Sequence, residues 1–258
     1  MGVDEYTDLL CVSFSSTDYV GHRFGPASVE VEDVYLRLDK DLGDFFDYLD
    51  KKVGKSNYLV FLTADHGAAY VPAYLHSLKA PSGLIDERDV ERAVKEFLNQ
   101  TYGKADWVSS YMNQQVYLNH TLINNKDMNL NTIQDELSDF LRHYQGVSKA
   151  LPAHWLLEND YDNLPEAAMD LGYNYKRSGD VLISFNDGWI EENISATTHG
   201  ESYNYDTHVP LIFMGAKVKP GKKTEKIAIT DIAPTIATFL HISKPSSATG
   251  KAIDMISK

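Results

Sequence analysis

Three short stretches of this sequence carry side chains suited to holding a metal. They are Asp18-Tyr19-Val20-Gly21-His22, Thr63-Ala64-Asp65-His66-Gly67 and Thr198-His199-Gly200. Asp offers a hard anionic oxygen and His a borderline nitrogen, and that mixture without sulfur suits zinc. A catalytic zinc takes three protein ligands and keeps a further position open, so Asp18, His22 and His199 would make one set. Asp65 and His66 would supply half of a second. Two metals about 4 Å apart can clamp the attacking and leaving oxygens of a phosphoryl transfer. Bland readings stand beside these. Asp-His-Gly after an apolar run is also an ordinary turn, Asp18 could cap a helix, and His66 could be a hydrogen-bonded core histidine. His208 reads either as a side chain that supports a ligand through a hydrogen bond or as a ligand itself. His76, His120, His143, His154 and His241 have no metal-ligand spacing.

Apolar runs lead into these stretches or lie close to them. Leu9–Phe14 is nearly continuous and predicts a strand buried on both faces. It opens into a polar, glycine-punctuated loop from Ser15 to Pro26. From about Ser28 to Val53 the residues Val31, Val34, Leu38, Leu42, Phe46 and Leu49 recur at helical spacing, with Gly54 as the stop. Asn57–Leu62 is the next strand, so the segment reads as a strand–helix–strand unit and favours a parallel sheet. In open α/β sheets, ligands sit beyond the carboxyl ends of strands, which is where Asp65 and His66 fall.

Between Ala68 and Arg177 the pattern loosens. Asp86–Leu98 predicts a helix, Trp107–Leu118 a hairpin around Asn113, Asn124–Asp127 a turn, Asn131–Tyr144 a helix capped by Asn131, and Leu164–Leu171 a short helix with Pro165 in its first turn. Asp180–Phe185 and Thr207–Gly215 predict strands, and Thr230 onward a last amphipathic helix. The chain is expected to be one catalytic-domain portion, 1–258, with an insertion or cap at about 70–177.

The 258 residues suffice for a sizeable core, and 43% hydrophobic with 24% charged residues is a globular composition. A net charge of −13 argues against a nucleic-acid backbone or an anionic membrane as partner, though bound divalent cations could still admit an anionic small substrate. The lone Cys11 excludes an internal disulfide and a thiolate zinc site, and its apolar surroundings predict a buried position. No apolar run is long enough to span a membrane, and no signal peptide is visible. Asn119-His120-Thr121 and Asn193-Ile194-Ser195 match the glycosylation sequon.

Asp18-x-x-Gly21-His22-x-x-Gly25-Pro26, then Thr63-Ala64-Asp65-His66-Gly67, then Thr198-His199-Gly200, resemble in that order the alkaline phosphatase superfamily. The nearest likeness is to the type I phosphodiesterase/nucleotide pyrophosphatase group and its bacterial alkaline phosphatase relatives. The resemblance runs over most of the chain, least clearly at about 70–175. It implies a three-layer α/β/α sandwich with a mostly parallel central sheet. It also implies one zinc on Asp18, His22 and His199, and a second on Asp65 and His66. In that family the second zinc takes a further Asp and is bridged by a Thr or Ser nucleophile, both upstream of the first matched motif. Asp4, Thr7 and Asp8 do not fit those parts, so no catalytic nucleophile is assigned within the chain.

The expectation is therefore the C-terminal portion of a zinc-dependent phosphate-ester hydrolase, inactive alone. A phosphomonoesterase is the first reading and a phosphodiesterase or nucleotide pyrophosphatase the second. A zinc-binding structural or interaction domain is the reading from another class. Sulfatases and phosphoglycerate mutases match the loops less well. The parent's substrate would be a phosphorylated small molecule, its location periplasmic or secreted, and an exposed sheet edge could bring two copies together.

Overall fold

The structure is a computed structural model that describes residues 2–191, 196–216 and 218–254. In chain order its elements are α1 (Ser16–Phe24), α2 (Val29–Lys52), β1 (Leu59–Thr63), α3 (Pro72–Ser77), β2 (Gly83–Leu84), α4 (Glu87–Tyr102), β3 (Val108–Met112) and β4 (Gln115–Leu118). There follow α5 (His120–Asn125), α6 (Leu130–Arg142), β5 (Val147–Pro152), α7 (Ala153–Glu158), α8 (Glu166–Gly172), β6 (Val181–Phe185), β7 (Trp189–Ile190), α9 (Asn204–Thr207), β8 (Leu211–Gly215) and α10 (Ile232–Phe239). They divide into two compact units. One comprises Met1–Cys11, Asp39–Ala64 and Pro210–Lys258, the other Val12–Leu38 and Asp65–Val209.

The second unit holds the main core. Its four-stranded sheet has the order β3-β4-β6-β5, with every neighbouring pair antiparallel. All residues of β6 are buried, in keeping with its apolar Val181, Leu182, Ile183 and Phe185, and the polar Ser184 is satisfied by Glu201. Helices α4 and α6 turn Val90, Val94 and Leu98, and Ile133, Leu137 and Leu141, into the cluster that also takes Trp107, Val116 and Phe185. Trp107 is buried with its indole N–H donating to the Gly103 carbonyl at 2.8 Å, so no polar atom is lost to the core. The hairpin between β3 and β4 turns on Asn113 and Gln114, both at positive φ, the geometry of a two-residue hairpin turn. The short pair β2–β7 is parallel.

In the first unit β1 pairs antiparallel with β8, Leu59 opposite Gly215 and Thr63 opposite Leu211. This corrects the strand–helix–strand reading. Leu9–Phe14 joins no ladder among the described residues, and Leu9, Leu10, Val12 and Phe14 are exposed. An apolar run supplies the side chains of a buried strand, but the strand itself needs a neighbour along its edge. Cys11 is accordingly exposed, not buried. Helix α2 keeps its expected extent and ends at Gly54, whose φ is 94° and whose N–H reaches back to Leu49.

Other expectations shift at their boundaries. Asn129, not Asn131, caps α6, its side chain accepting the Thr132 N–H; Asn131 lies inside the first turn. Thr207 and His208 close the short helix α9, and the strand begins only at Leu211, after Pro210. The expected turn at Asn124–Asp127 is the end of α5. The sequon at Asn193–Ser195 lies outside the described residues. Among the described residues no helix is long and apolar enough to cross a membrane.

Candidate metal centre

Asp18 and His22 stand on a helix where a loop was expected. With α1 running from Ser16 to Phe24, their i, i+4 spacing puts both on one face. Gly25 ends the helix at φ 84°, where a side chain would be strained and would stand 2.4 Å from Val71. His199 comes from the loop after β7. One donor atom each from Asp18, His22 and His199 lie within 4.8 Å of one another. All of these residues, with Asp65 and His66, belong to the second unit.

The hydrogen bonds fix which ring nitrogens face the centre. His22 Nδ1 lies 2.7 Å from the Thr197 carbonyl oxygen. A carbonyl can only accept, so Nδ1 carries the proton and Nε2 presents a lone pair. That Nε2 is 3.4 Å from Asp18 Oδ1. Two lone pairs at that separation repel unless a proton or a metal cation lies between them. Donors about 2.1 Å from a tetrahedral zinc stand about 3.4 Å apart, so the pair has the span of one edge of such a site. His66 repeats the pattern: Nδ1 donates to the Gly67 carbonyl at 2.8 Å, and Nε2 faces Asp65 Oδ2 at 3.7 Å. Asp65 is exposed, and His66 is partly buried. The donor chemistry of Asp18, His22 and His199 fits zinc, while Asp65 and His66 are not part of that cluster.

Hydrogen bonds join the segments that carry these candidate ligands. Thr197 is fully buried; its N–H donates to the His22 carbonyl at 2.9 Å and its hydroxyl to the Ala69 carbonyl at 2.6 Å. The Ala69 N–H donates to Thr198 at 3.1 Å. The rings of His66 and His199 stack with centroids 3.3 Å apart, and His22 lies at 5.1 Å from His199. Burial first, then the neighbouring His66 and His22, push the His199 pKa below the ordinary imidazole value. His199 is thereby kept neutral, the form a metal needs.

Two acids near the centre were not singled out by type and spacing. Asp206 is buried and its carboxylate accepts the Gly200 and Glu201 N–H groups. Glu201, also buried, accepts from the Ser184 hydroxyl and the Phe185 N–H. Desolvation raises both carboxyl pKa values. In the sequence, the cue to Asp206 is its place two residues before His208. His208 is exposed at the end of α9 and is not one of the three clustered residues.

The fold is alkaline-phosphatase-like. It matches the crystal structure described as wild type alkaline phosphatase PafA with a TM-score of 0.92 and 42% identity, covering 99% of this chain and 49% of that one. The chain belongs to the type I phosphodiesterase / nucleotide pyrophosphatase family, whose pattern matches residues 2–208. It is 43% identical over 254 residues to alkaline phosphatase PafA of Elizabethkingia meningoseptica, covering 98% of this chain and 46% of that protein. It is 41% identical over 256 residues to alkaline phosphatase PhoV of Synechococcus elongatus, again 98% and 46%. The chain thus spans about half the length of the curated relatives it matches.

Proposed function

We propose that this chain supplies metal-binding loops of a zinc-dependent phosphate-ester hydrolase that acts on phosphomonoesters. The observation that carries the reading is the convergence of Asp18, His22 and His199 from α1 and a distant loop. Bound by Asp18, His22 and His199, zinc would supply Lewis acidity towards a phosphoryl oxygen. This chain's own part is to hold the donors. Thr197 and Gly67 lock His22 and His66 with Nε2 free, and burial keeps His199 neutral. Asp65 and His66 are assigned to a second zinc, completed together with the Thr or Ser nucleophile by residues outside this chain. The chain alone is therefore proposed to bind zinc without turnover. Residues 70–177 are read as a cap on the catalytic portion, the parent as periplasmic or secreted, and its substrate as a phosphorylated small molecule.

Zinc titration by calorimetry on this chain tests the reading. His22→Ala and His199→Ala should each weaken binding at the first set by at least ~100-fold, since each removes one of only three protein ligands. His66→Ala should leave that binding within about threefold. Equal binding by all three variants would exclude the assignment. Family membership equally admits a phosphodiesterase. Rates of the intact parent on an aryl phosphate monoester and the matching diester decide between them, and faster diester cleavage would reverse the order proposed.

A further inference from the structure

Asp206 lies outside the clustered donor set yet bonds both loops that carry candidate ligands. Its backbone carbonyl accepts the Gly67 N–H at 2.7 Å, one residue after His66. Its carboxylate Oδ2 accepts the Gly200 N–H at 2.9 Å and the Glu201 N–H at 2.8 Å, directly after His199. A single residue therefore holds the turns behind two candidate ligands, and those two rings lie stacked at 3.3 Å. Gly67 comes so close that a Cβ would stand 1.9 Å from the Tyr205 carbonyl oxygen, so only glycine permits this contact. Asp206 is 4% exposed, and its second oxygen, Oδ1, is buried without a hydrogen-bond partner. A half-satisfied buried carboxylate opposes folding unless something offsets it. Packing alone would be served as well by an uncharged residue.

We infer that Asp206 is a positioning residue which clasps the Asp65–Gly67 and His199–Glu201 loops together and so sets the His66 and His199 rings for metal. The inference rests on the metal-site reading above. The main-chain carbonyl holds Gly67 whatever the side chain, and the carboxylate holds the Gly200 and Glu201 N–H groups at fixed reach. An amide oxygen can take over that role, whereas a methyl group cannot and a longer acid places its oxygens elsewhere.

The test uses this chain, with Asp206→Ala, Asp206→Asn and Asp206→Glu, and two readouts. The first is the through-space NMR contact between the His66 and His199 ring protons without metal, with the core methyl spectrum as the check on folding. The second is zinc affinity. Asp206→Ala should lose the ring contact while keeping the methyl spectrum, and should bind zinc ~10- to 100-fold more weakly, the range usual for residues that orient metal ligands. Asp206→Asn should keep the contact and bind within about threefold of the unaltered chain. Should Asp206→Ala fail to fold, Asp206→Glu carries the decision, because it retains the charge and is expected to lose the contact. An intact ring contact in the folded Ala variant, or in Glu where Ala unfolds, would overturn the clasp, as would an Asn variant as impaired as Ala. The ring contact is read without zinc, so absence of zinc binding by the unaltered chain would refute the metal reading and leave the clasp to be judged by the rings.

Discussion

Gly67 and Glu191 show how much a single position can decide in this chain. Gly67→Ala would drive a methyl group into the Tyr205 carbonyl, and the backbone, not a flexible side chain, would have to move. Zinc affinity at a site that includes His66 is expected to fall about tenfold, while the first set is affected less; titration of the variant in the intact parent measures this. Glu191 illustrates a charge kept at a cost. Its carboxylate accepts the Tyr111 hydroxyl at 2.7 Å, and burial, with Glu87 adding repulsion, raises its pKa above the ordinary value. A raised acid pKa in the fold means that the folded chain holds the proton more tightly than the unfolded one. Its contribution is complete below the unfolded pKa and is lost as pH rises through the folded value. Glu191→Gln should thus gain melting temperature over the unaltered chain as pH rises from about 4.5, the usual Glu value, towards 8. A difference independent of pH would contradict the assignment. The candidate ligands were legible because their chemistry resides in residue type and order. Asp206 was not, because it acts through backbone groups and burial, which spacing does not encode.

Three helices end in the same way, and none with the residue that this end favours. After α3, the Lys79 N–H bonds the His76 carbonyl and the Ala80 N–H bonds Leu75; after α5, Asp127 bonds Asn124 and Met128 bonds Ile123; after α10, His241 bonds Thr238 and Ile242 bonds Ala237. These are the paired bonds of a Schellman cap, and the residue in the left-handed position has φ 58° at Lys79, 52° at Asp127 and 56° at His241. Glycine is the usual occupant there because a Cβ costs about 1 kcal/mol. Lys79→Gly and His241→Gly, both at exposed positions, should each stabilise the chain by roughly 1 kcal/mol, or about 2–4 °C in melting temperature for a chain of this size. The same feature explains what the sequence hid. Gly54 announced the end of α2, but the ends of α3, α5 and α10 carry no glycine signal. Helices α4 and α6 were readable from apolar spacing; the Asp86 cap on α4, which accepts the Arg88 N–H, was not singled out. Leu9–Phe14 misled for the opposite reason: its composition is that of a strand, while pairing depends on what lies alongside.

For the molecule as a whole, apolar surface and charge pull association in opposite directions. The first unit leaves Leu9, Leu10, Tyr48, Ile212 and Met214 exposed, and β1 and β8 form a ladder of only two strands among the described residues. Unpaired edges and exposed apolar side chains template contact with another copy. A net charge of −13 opposes that contact by like-charge repulsion, and salt screens the repulsion over about 8 Å at physiological ionic strength. This chain on its own is therefore expected to be monomeric when dilute at low salt and to self-associate as salt rises, the reverse of an assembly held by ion pairs. Sedimentation between low and high salt measures the trend. Ile212→Lys with Met214→Lys places cations on the β8 edge strand, a device that discourages edge pairing, and should abolish the salt-induced association. Persistence of the larger species in that variant would move the contact away from β8. A chain that stays monomeric at every salt concentration would show that repulsion was never what kept the copies apart.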